Sequence, residues 1–403
     1  MSATPQKSIE EKEKEYQEAR ARILGSDSFE QEIQVDLLEA ALLRGVEVEI
    51  LVDYFRGTRT QKELAMIASL EQKFPHFKAF YYQSPSVGPL IQKVMPPRFI
   101  EGFGLQHMKI YKFDDQVIIS GANLNTDYFE NRQDRYMLIN NRHLSDYFGE
   151  LVSLISKYSV QLRSGTLHLN PLIAENRRTE YKKEFSKEVL QFISKWRENT
   201  KLITGDTIIS PALQIYDIGI TQDENAMIEL LQLSGVDFDI AAGYLNLPNI
   251  YETILLNSKN RFNITTSAPE QNGFFNSRGI SQYIPHAYSY LQYQFMRKFK
   301  DNNIKVFEYS RTGWTWHAKG LWASGKDEYM AVIGSSNLNY RSLRRDVEAQ
   351  LYITTKDSKL KMKFQDNLKY LSEHSQISSL KTAKSRYLPP HIKLLTRFIK
   401  TML

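Results

Sequence analysis

A chain of 403 residues, 42% hydrophobic and 24% charged, is long enough for two domains or two fused halves, and too apolar for disorder to be its default state. Cysteine is absent, which excludes disulfides, thiolate catalysis and cysteine-based zinc sites and shifts any catalytic burden to histidine. A net charge of +6 favours an anionic partner without choosing between nucleic acid, phospholipid surface and nucleotide.

Met1 to Arg22 is Glu/Lys-rich, contains a charged helix over Ser8 to Arg20, and has no apolar core of the kind a signal peptide needs. No apolar run reaches the roughly 18 residues of a membrane span. ARIL (Ala21 to Leu24) then reads as a short strand. Phe29 to Leu43 reads as a helix, with Ile33, Leu37, Leu38, Ala41 and Leu42 at helical spacing. VEVEILVDYF (Val46 to Phe55) has β character, and FKAFYY from Phe77, HMKIYKF from His107, QVIISGA from Gln116 and DRYMLIN from Asp134 follow as strands. Glu175 to Trp196 carries an apolar stripe between charged flanks and is expected to be a packed connecting helix.

The second half repeats this order. A helix at Glu224 to Leu233 precedes the strand FDIAAGYLN, a helix at Ile250 to Leu256 precedes RFNITTSAP, and a helix at Ala287 to Phe299 precedes IKVFEYS; the strands HAKGLWA, YMAVIGSS and VEAQLYI close the series. Alternating strands and helices predict an α/β fold, and the repeated order predicts a duplicated one: two α/β/α halves with mixed sheets meeting at a pseudo-two-fold active-site cleft. The expected divisions are 1–165, a connecting helix within 166–200, and 201–403.

One phrase occurs in each half, QHMKIYKFD (Gln106 to Asp114) and WHAKGLWAS (Trp316 to Ser324). Each is followed by a glycine-bearing strand end, SGANLN (Ser120 to Asn125) and GSSNLN (Gly334 to Asn339), and by an acid eleven residues past the first asparagine, Asp134 after Asn123 and Glu348 after Asn337. A whole module repeats, which chance does not supply. On a strand, residues i and i+2 share a face, so His107 with Lys109, and His317 with Lys319, are expected to point into one cleft. Two imidazoles suit phosphodiester transfer: one attacks phosphorus and the other protonates the leaving oxygen, while lysines and the amides of Asn123 and Asn337 hold the phosphoryl oxygens. Asp134 and Glu348 suit the task of fixing the imidazole tautomers. Asp114 completes the first motif and Ser324 replaces it in the second, so the copies are unequal; the fuller first motif assigns the attack to His107.

These residues resemble the phospholipase D superfamily, whose signature is His-x-Lys-x4-Asp followed by a Gly/Ser-Asn segment, used twice. LVDYFRGTR (Leu51 to Arg59), NRQDRY (Asn131 to Tyr136), SAPEQNGFFNSRGI (Ser267 to Ile280), IPHAYSYL (Ile284 to Leu291) and GWTWHAKGLW (Gly313 to Trp322) narrow the likeness to its eukaryotic phosphatidylglycerophosphate synthase branch, over nearly the whole chain from Ile23. The resemblance implies a phospholipase D-like fold in each half. It also implies a transferase of phospholipid biosynthesis acting on CDP-diacylglycerol and glycerol-3-phosphate through a phosphatidyl-histidine intermediate, at the first committed step toward phosphatidylglycerol and cardiolipin.

The acceptor is a dianion, and Arg56, Arg59, Arg132 and Arg278 are candidates to bind it through forked guanidinium contacts. No metal and no other cofactor is required, because lysines, imidazolium and amides supply the positive charge. The remaining histidines form no metal-ligand spacing, and His286, inside one of the family-like strings, is expected near the cleft. The implied partners are the two substrates and a membrane surface rich in anionic phospholipid, with no nucleic acid; the implied location is mitochondrial, peripheral on the inner membrane. PPHIKLLTRFIKTML (Pro389 to Leu403) and GPLIQKVMPPRF (Gly88 to Phe99) are the segments expected to meet lipid, the former equally readable as a packed terminal helix. Cardiolipin synthase, phosphatidylserine synthase, phospholipase D and nuclease are the alternatives within the superfamily, and a binding scaffold with a dead site is the alternative outside it.

Overall fold

The computed structural model describes residues 24–26, 32–95, 100–199, 205–299, 303–326, 328–386 and 390–402. Two mixed sheets carry the fold. The first runs, edge to edge, Tyr136–Asn140, Gln116–Ser120, Ile110–Phe113, Leu24–Ser26, Val48–Asp53, Phe77–Tyr82, Val160–Arg163, Thr166–His168. The second runs Ile220–Thr221, Thr207–Ile215, Val347–Thr355, Tyr329–Gly334, Gly320–Ser324, Asp237–Ala241, Phe262–Ser267, Ile304–Tyr309, Ser375–Ile377.

The strand order is the same in both. In each half the strand at or just after the acid, the strand leading to the Asn-Leu-Asn segment and the strand after the histidine pair antiparallel, and the last of these lies beside three mutually parallel strands. The duplication expected from the repeated motifs is therefore visible as topology. Among the parallel strands VEILVD (Val48–Asp53) is an apolar run buried along nearly its whole length, whereas FNITTS (Phe262–Ser267) alternates between buried and half-buried positions.

Each sheet has its own outer core, one around Ile50, Val52, Ala79 and Tyr81 and the other around Phe238, Ile240, Phe262 and Val306. A third apolar cluster belongs to both halves, joining Met108, Val117 and Ile119 to Leu213, Trp316, Ala349 and Leu351. The connecting helix spans Arg178–Glu198 and buries Tyr181, Phe185, Val189 and Phe192, one stripe at helical spacing, so it is a packed element as expected. It packs against a helix the sequence reading passed over, Arg142–Lys157, capped by the Asn141 side chain and burying Leu144, Phe148, Leu151 and Ile155. The hairpin Val160–Arg163/Thr166–His168 completes the first sheet, which thus runs to residue 168.

The expected helix over Ser8 to Arg20 lies outside the described residues, and of the ARIL segment only Leu24 is described, opening the strand Leu24–Ser26. The expected HMKIYKF and HAKGLWA strands start late. Regular pairing begins at Ile110 and Gly320, and the histidines precede it.

Candidate active site

The two histidine segments cross between the halves. Gln106 forms a parallel bridge with Val347, and the His107 N–H donates to the Val347 carbonyl at 2.9 Å. Thr315–Trp316 pairs with Arg132–Gln133, and the His317 N–H donates to the Gln133 carbonyl, also at 2.9 Å. Each histidine is thus hydrogen-bonded to the residue that precedes the other half's acid, Val347 before Glu348 and Gln133 before Asp134.

The side chains follow. His107 Nδ1 lies 3.0 Å from both carboxylate oxygens of Glu348, and His317 Nδ1 lies 2.7 Å from Asp134 Oδ2. A hydrogen bond at Nδ1 leaves Nε2 toward the cavity and fixes which nitrogen is available for chemistry. Both acids are themselves held: the Ser342 hydroxyl donates to Glu348 at 2.7 Å, and the Arg135 N–H donates to Asp134 at 2.8 Å. Gly121 lets the backbone pass close to this arrangement, since a Cβ there would sit 2.7 Å from Asp134 Oδ1 and 3.0 Å from the Lys319 stem.

The lysines stand elsewhere than expected. Lys109 and Lys319 are each 1% exposed and neither lines the cavity. A desolvated ammonium must find acceptors. Lys109 Nζ folds back onto the His107 carbonyl at 2.6 Å, and Lys319 Nζ onto the His317 carbonyl at 2.9 Å, 3.7 Å from Asp134 and against the imidazole, 2.7 Å from Nδ1 and 3.3 Å from Nε2. Their charge acts from behind the imidazoles. Burial raises the Asp134 carboxyl, but Lys319 and the His317 hydrogen bond outweigh it and hold the group below its usual range. Burial and then Lys319 lower the His317 imidazole to about 3, so it is neutral in the free enzyme. Glu348 goes the other way: desolvation raises it to about 7 despite Lys109.

The two asparagines of each Asn-Leu-Asn divide the labour. Asn125 and Asn339 cap the short helices Thr126–Glu130 and Tyr340–Arg344, accepting from Asp127 N and Ser342 N. Asn123 and Asn337 line the cavity, and their buried amide oxygens accept no hydrogen bond among the described residues. A half-turn of either amide presents its NH2 instead, so both are open to an incoming phosphoryl oxygen.

The cavity, of about 380 Å³, is also lined by Arg56, Arg59, Arg132 and Arg341. Arg56 and Arg59 share Glu101. Arg132 lies 4.9 Å over the Tyr128 ring, 3.1 Å from Thr315 Oγ1 and 3.4 Å from Asp127. Arg341 is held at Nε by Asp346, at 3.0 Å, while its buried Nη2 has no hydrogen-bond partner among the described residues. The sequence reading missed Arg341, although its place four residues past Asn337 was a signal. Tyr128 was missed too: its hydroxyl lies 3.3 Å from His317 Nε2. Tyr244 and Tyr288, stacked with ring centroids 5.0 Å apart, complete the wall.

Three expected residues fall outside. Asp114 occupies the exposed turn between Ile110–Phe113 and Gln116–Ser120 at φ 48°, where its carbonyl accepts from Ser145, so it shapes a hairpin instead of touching the cavity. Arg278 is exposed and is not among the lining residues, because the segment Asn276–Gly279 turns outward. His286 is exposed and lines a separate pocket. His107, Asp346 and Glu348 present ligand atoms within 4.8 Å of one another, a set that could hold a cation; Arg341, the Leu105 N–H and Ser342 already satisfy its carboxylates.

Comparison with known proteins places this arrangement. Residues 227–371 match the family model described as cardiolipin synthase, PLD-like domain, and residues 1–28 match that of the SUZ domain. A protein of Gallus gallus named mitochondrial CDP-diacylglycerol–glycerol-3-phosphate 3-phosphatidyltransferase is 33% identical over 94% of this chain and 77% of its own length. Its Homo sapiens counterpart is 32% identical with the same coverage, and that of Saccharomyces cerevisiae is 31% identical over 91% of this chain and 80% of its own length. In fold, the chain is similar to phosphatidylserine synthase of Haemophilus influenzae, with a TM-score of 0.74 at 19% identity, covering 98% of this chain and 93% of that one.

Proposed function

The chain belongs to the eukaryotic CDP-diacylglycerol–glycerol-3-phosphate 3-phosphatidyltransferases, the phosphatidylglycerophosphate synthases of the phospholipase D superfamily, and from that premise we propose how its cavity works. The enzyme transfers the phosphatidyl group of CDP-diacylglycerol to glycerol-3-phosphate, giving phosphatidylglycerophosphate and CMP.

The observation that carries the mechanism is the crossed pair of carboxylate-held imidazoles facing one cavity. Nε2 of one imidazole attacks the phosphatidyl phosphorus, forming a P–N bond, while the P–O bond to CMP breaks and the other imidazole protonates the departing oxygen. The primary hydroxyl of glycerol-3-phosphate then attacks phosphorus. The second imidazole takes its proton, and the P–N bond breaks to restore the first. Asn123 and Asn337 donate to the non-bridging oxygens, and Lys109 and Lys319 stabilise the anionic transition state through the imidazole–carboxylate pairs.

Arg59, Arg132 and Arg56 bind the phosphate of the acceptor. Their carboxylate partners Glu101 and Asp127 keep the guanidiniums paired until a dianion displaces them. The cavity volume suits the phosphoryl centre and acceptor and leaves the acyl chains outside it. Among the described residues no helix is long and apolar enough to cross a membrane. The exposed Val94 of helix Pro89–Val94 and Leu394 of helix Pro390–Ile399 belong to the proposed lipid-facing rim. The mitochondrial names of the vertebrate relatives support a mitochondrial location, which we extend to the inner-membrane surface.

The test is incubation of the protein with CDP-diacylglycerol and, separately, glycerol-3-phosphate, serine, phosphatidylglycerol or water, following CMP release and the lipid product. Phosphatidylglycerophosphate with the first acceptor is the expected result. Release of CMP only with another acceptor would assign the chain to a different phosphatidyltransferase.

A further inference from the structure

We propose that a basic pocket outside the catalytic cavity binds the phosphate of an anionic phospholipid in the membrane surface. It measures about 220 Å³ and is lined by His286, Tyr290 and Tyr293 of helix Ile284–Met296, by Lys384 and Arg386 at the end of helix Leu380–Ser385, and by Lys393 of helix Pro390–Ile399. The inference adds a second lipid contact to the proposed reaction and relies on that reading only for the presence of a membrane nearby.

Charge and rigidity carry the argument. No carboxylate is among the lining residues, and neither Lys384 nor Lys393 has an ion-pair partner among the described residues. Glu308, the acid that Arg386 bridges, is consumed: it accepts from Gln292 at 2.6 Å, from Ser378 at 2.8 Å and from Arg386 at 2.8 Å. That buried network anchors Arg386 at the pocket and joins the helix Ile284–Met296, the strand Ile304–Tyr309 and the segment carrying Arg386. The pocket therefore offers two unpaired ammonium groups, an imidazole and two phenols around a set cavity, the donor set that a phosphodiester accepts.

The surroundings choose the source of that phosphate. Helix Pro390–Ile399 buries Ile392 and Thr396 against the molecule and turns Lys393, Leu394 and Arg397 outward, with Leu394 57% exposed. Leu380, at the start of the preceding helix, is 44% exposed, and Ile377 just before it is 64% exposed. Apolar side chains beside lysines are what an interfacial surface presents to a bilayer carrying anionic headgroups.

The test measures cosedimentation of the full chain with vesicles of phosphatidylcholine alone and of equal parts phosphatidylcholine and phosphatidylglycerol. Wild type is compared with K384E/K393E, with the milder K384Q/K393Q, and with K363E/K369E, which makes the same charge change on the exposed side of helix Ser358–Ser372. Wild type and K363E/K369E should bind the anionic vesicles alike. K384E/K393E should bind at least about thirty-fold more weakly and K384Q/K393Q by less, as expected for lysines at an anionic surface. Turnover of a water-soluble short-chain CDP-diacylglycerol, without vesicles, should be retained by all, which separates this result from the catalytic reading and shows that the variants fold. Equal weakening in K363E/K369E would reduce the site to net charge and overturn the proposal. Displacement of wild type from vesicles by inorganic phosphate, but not by chloride at the same ionic strength, would make it a soluble-anion site and overturn the lipid assignment.

Discussion

The two copies of the module carry the same ion pair with its ends exchanged. Four residues past the cavity asparagine, the first copy has Asp127 and the second Arg341; nine residues past it, the first has Arg132 and the second Asp346. Asp127 pairs with Arg132 at 3.4 Å and Arg341 with Asp346 at 3.0 Å, so each short helix and the following strand are tied by a bridge of opposite polarity. Five residues past that asparagine the first copy has Tyr128, against His317, and the second has Ser342, against Glu348. A duplicated frame places the two imidazoles symmetrically, and the substitutions around it make the surroundings unequal. That is what a reaction needs when one histidine becomes covalently modified and its twin only moves protons.

The strongest way to break the comparison is to remove its symmetric part. His107→Ala and His317→Ala should each lower CMP release at least about 10⁴-fold, and the double variant should be little worse than either, because the pair acts as a unit. If one single variant keeps near wild-type turnover, the two-histidine scheme is wrong. Incubation with CDP-diacylglycerol alone should leave an acid-labile phosphatidyl group on one of the two histidine peptides, read by mass spectrometry. The peptide that carries it identifies the attacking side.

The next largest effects concern the unequal carboxylates. Asp134→Asn should lower kcat by about 10²- to 10⁴-fold, since an ionised partner is lost from His317. Glu348→Gln should cost less, because Glu348, raised to about 7, is already partly protonated at neutral pH. The same shift has a stability consequence. A carboxyl whose folded value exceeds its ordinary value of 4.5 holds an extra proton in the folded state between about pH 4.5 and 7, so stability falls as pH rises through that window. Glu348→Gln should flatten the fall of Tm over that range, leaving the slopes of Asp53 and Asp223, which burial raises to about 7 and about 6, and the opposing slope of the depressed His317. An unchanged slope would show that Glu348 titrates normally.

Much of this was legible in the chain because duplication tested itself. His107, His317, Asn123, Asn337, Asp134 and Glu348 recur at matched spacing, and all are brought to one place. Which acid serves which histidine was not legible. The exchange between halves depends on backbone bridges such as Gln106 to Val347, between positions 241 apart, and no local pattern encodes them. The lysines misled for a related reason: strand alternation was assumed at 107–109 and 317–319, which precede the regular ladders. Asp114 does local work in a turn, so the fuller first motif does not single out His107 as the attacking histidine.

Guanidinium variants sharpen the comparison at an intermediate scale. Arg59→Lys and Arg132→Lys keep charge but lose the fork, and each should raise the apparent KM for glycerol-3-phosphate about ten- to a hundred-fold while the phosphatidyl intermediate still forms. Water then competes for the intermediate, and phosphatidic acid should appear as a by-product. Should both variants instead lose intermediate formation with acceptor KM unchanged, these arginines serve CDP-diacylglycerol, and Arg341, with its unpaired buried Nη2, becomes the arginine to test for the acceptor.

The smallest effect addresses the inequality most directly. With the Nδ1 proton directed to Asp134, the Nε2 lone pair of His317 faces the cavity, where the Tyr128 hydroxyl lies 3.3 Å away and the ring stands edge-on at a centroid distance of 5.1 Å. Tyr128→Phe preserves the ring and its packing under Arg132 and deletes the hydroxyl, together with that hydroxyl's hydrogen bond to Arg132. A hydrogen bond of this kind is worth about 0.5 to 1.5 kcal/mol, so kcat/KM should fall roughly two- to ten-fold. Ser342→Ala deletes the matching hydroxyl of the second copy, which donates to Glu348 instead. Losing a donor to the charged form raises a carboxyl further, so this variant should move the titration of Glu348 upward, whereas Tyr128→Phe should leave that titration in place. If the two variants shift the pH profile alike, the exchanged surroundings do not divide the roles of the two histidines, and the inequality must come from the substrate.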